Sequence, residues 1–262
     1  MKKYLNVYRA LIRLNFSALV VYRANVINNI LGSTVWGVFS IVSIVLMTAR
    51  TTSIFGWTRY EILLLSGVYG LFMGIYHTLF SRNFERLTSL IRLGMMDAIL
   101  TKPADSQFLV STSIINYSSI IRIFLGAAFT WYIISVAHMA VTLPIVGIFC
   151  IGIIIGLLLL YSLWFIVATL IIWYPDLSNL IEFLYSVSNI GRFPREMYAH
   201  MNQFLFLFIL PLTFMIIAPT KILLTKLTVF DALGLLMFAA IFFVGSRFFW
   251  KFALRYYTSA SS

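Results

Sequence analysis

Residues 82–108 read RNFERLTSLIRLGMMDAILTKPADSQF, and they lie between two long apolar runs in a chain that elsewhere carries little charge. The stretch holds four of the 19 Lys and Arg and three of the eight Asp and Glu. The runs on either side, 60–80 and 108–137, are each long enough to cross a hydrocarbon layer, which takes about 20 apolar residues per helix. A charged segment held between two such runs is a connection at a membrane surface. That reading makes the protein all-α and polytopic.

The rest of the chain agrees. Its 262 residues are 61% hydrophobic and 10% charged, with a mean hydropathy of +0.98, whereas a soluble domain carries roughly 25% charged residues. Further apolar runs fall at 26–48, 143–172 and 229–250. A short one at 178–191 follows WYPD, the polar insert GRFPREMYAHMNQ comes next, and the run 204–219 is broken by Pro211 and Pro219. We expect six transmembrane helices in a single membrane domain over 1–262, with no fixed-period repeat and no separate soluble domain.

The opening segment MKKYLNVYRALIRLNF is not a cleaved leader, because Arg9 and Arg13 interrupt its apolar core. Lys2, Asn6, Arg9 and Arg13 recur on one helical face, and Tyr4, Tyr8, Leu11, Ile12 and Phe16 on the other. This pattern predicts an interfacial amphipathic helix over 1–24 resting on membrane lipid; the start of a long first span is the alternative. With the N-terminus inside, 12 Lys and Arg fall in cytoplasmic segments and 6 outside, Arg122 being within a span. Both termini are then cytoplasmic. The net charge of +11 is scattered over short connections, which favours membrane orientation over nucleic-acid binding. Cys150 is the single cysteine, so no intrachain disulfide forms.

Gly70/Gly74 and Gly152/Gly156 are GxxxG pairs suited to close helix packing within the subunit. His77, His138 and His200 are too widely spaced to suggest a metal site. Arg122 is the one strongly charged residue inside a span, and two readings stand for it: a residue of a polar translocation path, or a snorkelling anchor reaching the headgroups. No Gly-Lys pair of a phosphate-binding loop occurs, and no Ser-His-Asp or HExxH arrangement suggests an intramembrane enzyme.

Within 82–93, Phe84, Leu87, Leu90 and Ile91 form an apolar stripe for the membrane edge or a partner's groove, Gly94 stops the helix, and Pro103 breaks the chain again. LIRLGMMDAILTKPADSQF resembles the glycine, acidic residue, leucine, basic residue, proline segment of bacterial permeases of the type-2 class of ATP-binding-cassette (ABC-2) exporters. GRFPREMYAHMNQFLFLFILPLTFMIIAPTKIL is similar to that family's second signature, a Phe-Pro near the outer surface before a Pro-containing apolar stretch. The resemblance covers essentially the whole chain. It implies a cytoplasmic coupling helix in 82–106, with Glu85, Arg86, Leu90, Gly94, Asp97 and Pro103 facing a separate ABC ATPase subunit. It also implies an extracellular and outer-leaflet re-entrant segment in 192–224, and an outer motif made of Gly191, Arg192, Phe193, Pro194 and Pro211. Charge counting alone would put 192–203 inside, giving 14 against 4; the resemblance puts it outside.

The expected protein is a permease subunit of an exporter in the bacterial cytoplasmic (inner) membrane, pairing with a second permease, identical or homologous. It would hold no cofactor and hydrolyse nothing itself, ATP and Mg²⁺ being bound by the partner ATPase. The scarcity of membrane charge points to a hydrophobic or amphipathic cargo such as a drug-like cation or lipid-linked molecule. The alternative is a secondary transporter or channel independent of an ATPase, which would show inverted repeats and midplane ionisable groups.

Overall fold

A computed structural model describes residues 2–21, 23–174, 179–198 and 203–257. His200, the remainder of 199–202, and Pro175 and Asp176 of WYPD lie outside the described residues. Helix α1 (Lys2–Val21) precedes α2 (Arg23–Met47), and a two-residue-stranded hairpin, β1 (Ser53–Ile54) with β2 (Trp57–Thr58), turns the chain into α3 (Arg59–Tyr76). The turn uses Phe55 and Gly56 at φ of 52° and 82°, the left-handed pair that tight hairpins require. Thr58 and Glu61 then close a capping box on α3, Glu61 accepting from the Thr58 N–H at 2.9 Å.

The second apolar run does not end where the charged stretch begins. A π-helical stretch His77–Ser81 carries α3 directly into α4 (Arg82–Arg92), so that Arg59–Arg92 is helical over 34 residues. The apolar stripe of α4 corrects its expected use. Phe84, Leu87, Leu90 and Ile91 are 1%, 0%, 3% and 8% exposed, because α6 (Ser106–Thr112) and α8 (Leu143–Thr169) pack over them. The stripe therefore serves the chain's own core, neither the membrane edge nor a partner's groove. Phe84 lies 5.9 Å from the Phe165 ring and 6.0 Å from the Tyr161 ring, in an aromatic cluster that Tyr76 and Trp250 complete.

Gly94 ends α4 at φ 66°, and α5 (Asp97–Leu100) is a single turn before Pro103. The run expected to be helical over 108–137 is interrupted. After α6 the chain is irregular until a 3-10 turn, Tyr117–Ser119, opens α7 (Ile120–Val136). Polar side chains compete for this backbone: Asn83 donates to the Ile114 carbonyl and accepts from its N–H, both at 2.8 Å, and Asn15 of α1 donates to the Ser113 carbonyl at 2.9 Å. The Tyr117 hydroxyl donates to the Ile12 carbonyl at 3.2 Å, so α1 rests along this connection.

Helix α9 (Asn179–Ser188) continues through 3-10 turns Asn189–Arg192 and Arg195–Tyr198, and α10 (Gln203–Leu223) and α11 (Val229–Ala253) complete the chain. Pro211 and Pro219, expected to break their run, both sit inside α10. Five helical stretches among the described residues are long and apolar enough to cross a membrane: Arg23–Met47, Arg59–Arg92, Tyr117–Val136, Leu143–Ile172 and Val229–Ala253. Within the short run at 178–191, the described residues form the 10-residue α9 and a 3-10 turn.

Glycines set the helix contacts. A Cβ on Gly126 of α7 would lie 2.2 Å from the Leu71 nitrogen, and one on Gly74 would lie 2.7 Å from that of Ile123, so α3 and α7 touch backbone to backbone. A Cβ on Gly156 would come within 2.5 Å of the Met215 carbonyl oxygen, which seats α8 against α10. Both GxxxG pairs thus pack within the subunit, as expected.

Candidate functional site

The contacts define two ends of the helix assembly. At one, Thr58, Glu61 and Asp231 begin α3 and α11; at the other lie α4 to α6 and the end of α11. A cleft runs between them, walled by α2, α3 and α7 and by the Tyr185–Arg192 segment. It consists of a cavity of about 280 Å³ toward the Glu61 end and one of about 520 Å³ toward the α4 end, and His77 and Arg122 line both.

The upper cavity is mostly apolar and aromatic, with Trp36, Phe39, Tyr69 and Met73 on its walls. Arg192 enters it, its guanidinium carbon 5.6 Å from the centre of the Tyr69 ring and its Nη2 donating to the Ser40 carbonyl at 3.1 Å. The Tyr69 hydroxyl donates to Asn189 at 3.0 Å, which ties α3 to the 3-10 turn. The lower cavity is polar, lined by Asn28, Asn29, Ser118, Ser119, Arg82 and Glu85 among others. There the Tyr185 hydroxyl donates to Glu85 at 2.9 Å, and the Tyr185 ring lies 5.2 Å from His77. Arg122, at the junction, makes no hydrogen bond or ion pair to a described residue. The π-helical stretch beginning at His77 widens α3 at this same junction, a deformation common where a helix serves a site.

The residues predicted for coupling separate into two groups. Glu85, Arg86 and Pro103 are exposed, and Gly94 makes the bend between α4 and α5. Asp97 opens α5 beside Tyr257, whose hydroxyl pKa is raised by burial and by this carboxylate. Leu90 is buried, so it holds the segment together instead of offering surface. Around the bend the exposed apolar side chains are Leu93, Met95 and Leu100, at 68%, 43% and 37% exposure, rimmed by Arg92 and Lys102. Asp105, absent from the predicted set, caps α6 by accepting from the Phe108 N–H at 3.0 Å and takes a two-pronged ion pair from Arg247 of α11, Nη1 to Oδ1 at 2.8 Å. Burial pushes the Asp105 carboxyl up, but Arg247 and the Phe108 N–H outweigh it and hold the pKa below its ordinary value of 3.8.

At the opposite end Gly191, Phe193 and Pro194 of the motif pack into the fold, while Arg192 turns into the cleft. Gly191 packs on Ile216 and Leu212, Phe193 lies against the core, and Pro194 and Pro211 are buried. Arg195 and Lys221 both bind Asp231, at 2.7 and 2.8 Å, and Asp231 is fully buried. Glu196 accepts from the Trp57 indole at 3.1 Å, and Lys226 pairs with Glu61. These clusters were missed, although T-x-x-E at 58–61 and T-x-x-D at 228–231 are visible helix-start signatures. The cleft partners Tyr69, His77, Tyr185 and Asn189 left no such signal.

Compared with known protein families, residues 34–261 match a family described as ABC-2 family transporter protein. No curated protein matches the chain.

Proposed function

The chain belongs to the ABC-2 transporter family and is a multi-pass membrane permease of an ABC transporter; from this premise we propose that it is an exporter subunit of the bacterial inner membrane. It docks a cytosolic ABC ATPase through residues 82–106. In this reading ATP and Mg²⁺ are bound by that partner, and a second permease, identical or homologous, completes the pore. Both termini and the α4 end face the cytoplasm, and the Glu61 end faces outward with 192–198. A sixth crossing runs through α9, and α10 enters from the outer side. The cargo is hydrophobic or amphipathic and travels along the cleft.

One observation carries the coupling role. At 1.5 Å per residue the 34-residue helix Arg59–Arg92 is roughly 50 Å long, while a hydrocarbon core is about 30 Å thick. A wall of the cleft therefore continues without a joint into α4, outside the membrane. A force on the Gly94 bend moves that wall directly, with no flexible linker to absorb it. The exposed Leu93, Met95 and Leu100 between cationic rims give an ATPase groove something to grip. Nucleotide-dependent spacing of two ATPases then biases two arrangements of the spans, provided the two states bind α4 and α5 differently.

The test is co-purification and transport. Gly94→Val forces a branched side chain into left-handed backbone, Leu93→Asp places a charge on the apolar tip, and Asp97→Arg reverses a charge beside it. Each variant should reach the membrane in normal amount while losing ATPase association or ATP-driven efflux. Wild-type association and efflux in all three would refute the assignment.

A further inference from the structure

We infer that the cleft binds an anionic amphiphile, taking its phosphate or carboxylate head on Arg122 and Arg192 and its apolar tail on the aromatic wall beside Trp36 and Phe39. This deepens the transport reading above and rests on it for the meaning of the site as a path.

The charge in the cleft is one-sided. Among the residues lining the two cavities, Arg82, Arg122 and Arg192 are cationic and Glu85 is the single carboxylate, at the lower mouth beside Arg82. Of the other acids whose side chains are described, Glu61 is engaged by Lys226, Asp231 by Arg195 and Lys221, Asp105 by Arg247 and Glu196 by Trp57 and Arg195, while Asp97 lies beside Tyr257 at the α4 end. A guanidinium keeps its charge in any protein environment. An unpaired one at membrane depth is costly unless water or an anion solvates it. Arg122 lies at the level of Gly74, whose Cβ would touch the Arg122 carbonyl carbon at 3.0 Å. That is roughly 22 Å along α3 from Arg59. Arg192 lies over Tyr69, roughly 15 Å along it. The Nε atoms of both are buried without a partner among the described residues.

The two guanidiniums thus stand in series along the cleft with donors that no described residue takes up. Planar forks of this kind hold phosphate and carboxylate through paired hydrogen bonds. The same charges repel a cation, so the drug-like cation is the wrong half of the amphipathic class. Trp36 and Phe39 are 65% and 61% exposed on α2, beside the upper cavity, where they offer a tail an apolar surface continuous with lipid. A free phosphate ion would use the arginines and leave that surface idle.

The probes are dansyl-labelled lysophosphatidate and the matching monoacylglycerol, which differ in the phosphate, with a dansyl alkylammonium as the cationic counterpart. Each is added to the purified full-length permease in neutral maltoside micelles, and binding is read by energy transfer from tryptophan. Lysophosphatidate should bind about tenfold or more tightly than monoacylglycerol, a difference of about 1.4 kcal/mol, with alkylammonium weakest. Arg122→Gln and Arg192→Gln should each weaken lysophosphatidate binding about tenfold, while Arg122→Lys and Arg192→Lys keep most of the preference for the anion. Excess inorganic phosphate should fail to displace the probe; displacement would mean a free-anion site and overturn the amphiphile. Equal affinity for the phosphorylated and neutral probes would overturn the anionic head. So would wild-type binding in both Gln variants. If a Gln variant fails to fold, the salt dependence of wild-type binding decides, since a charge-held head weakens as ionic strength rises. No ATPase enters this measurement, so its failure leaves ATP-coupled transport standing, and loss of coupling leaves the binding result standing.

Discussion

Asp105 shows how one side chain joins the exposed segment to the last span. It caps α6 and holds Arg247 of α11, and the Arg247 Nη1 also donates to Gln107 at 3.1 Å. Its pKa lies below the ordinary 3.8, so the folded state favours the charged form. The stabilisation is then fully present above the unfolded value and fades as pH falls through the lower folded value. Asp105→Asn should lower the melting temperature of the detergent-solubilised protein at pH 7. The gap from wild type should close as pH drops below about 4. A partly exposed pair is worth up to roughly 1 kcal/mol, so the shift should be small, and it should shrink in high salt. A gap that stays constant from pH 7 down to acid would show that packing, not charge, explains the loss. At this scale sequence reading is weakest. Arg122 stands out in a sequence because a charge inside an apolar run is rare, whereas Asp105 and Arg247 are 142 residues apart and each looks like ordinary surface charge. Arg192 was read as part of an outer motif because the fold, not its neighbours in sequence, turns it into the cleft.

Helices were more legible than their joints. The runs at 26–48, 143–172 and 229–250 became α2, α8 and α11 because composition alone fixes a long apolar helix. Hydropathy has no means of showing that α3 passes through a π-helical stretch into charged α4, nor that Asn83 and Asn15 undo the helix at 113–116. Close glycine packing is intermediate: the GxxxG pairs were visible, but the tightest glycine, Gly126, belongs to neither. In a membrane, helices gain little from the hydrophobic effect on meeting, and van der Waals contact between close backbones takes its place. Gly126→Ala puts a methyl 2.2 Å from the Leu71 nitrogen, a rigid backbone neighbour. The helices must separate, at a cost of about 1–3 kcal/mol. The variant should therefore melt several degrees lower. Gly147→Ala, with open space around its Cβ, should match wild type or gain slightly in helix propensity. Equal melting of the two variants would mean that α3 and α7 do not meet as described.

Across the whole molecule the two ends handle positive charge differently, and this bears on the conflict between charge counting and family resemblance over 192–203. At the Glu61 end, Arg195 and Lys221 are held by Asp231, Lys226 by Glu61, and Arg192 turns into the cleft. At the α4 end, Arg82, Arg86 and Lys102 are exposed. Counting residues treats these sets alike, yet an ion-paired or inserted cation presents less charge to a lipid surface than a solvated one. The contacts of Arg195 with Asp231 and of Glu196 with Trp57 put 195–198 at the same end as the starts of α3 and α11. Whichever compartment that end occupies, these segments must share it. Single cysteines at Met197 and Leu227, 43% and 39% exposed, and at Leu93, 68% exposed, test this in a Cys150→Ser background. In intact cells a membrane-impermeant thiol reagent should label the cysteines at 197 and 227 and reach the one at 93 only after the membrane is opened. Full reversal of this pattern would leave the fold intact and overturn the proposed orientation. Labelling of 197 and 227 from opposite sides would overturn the fold itself, because no rotation of the assembly separates two segments bridged through Asp231 at the head of α11.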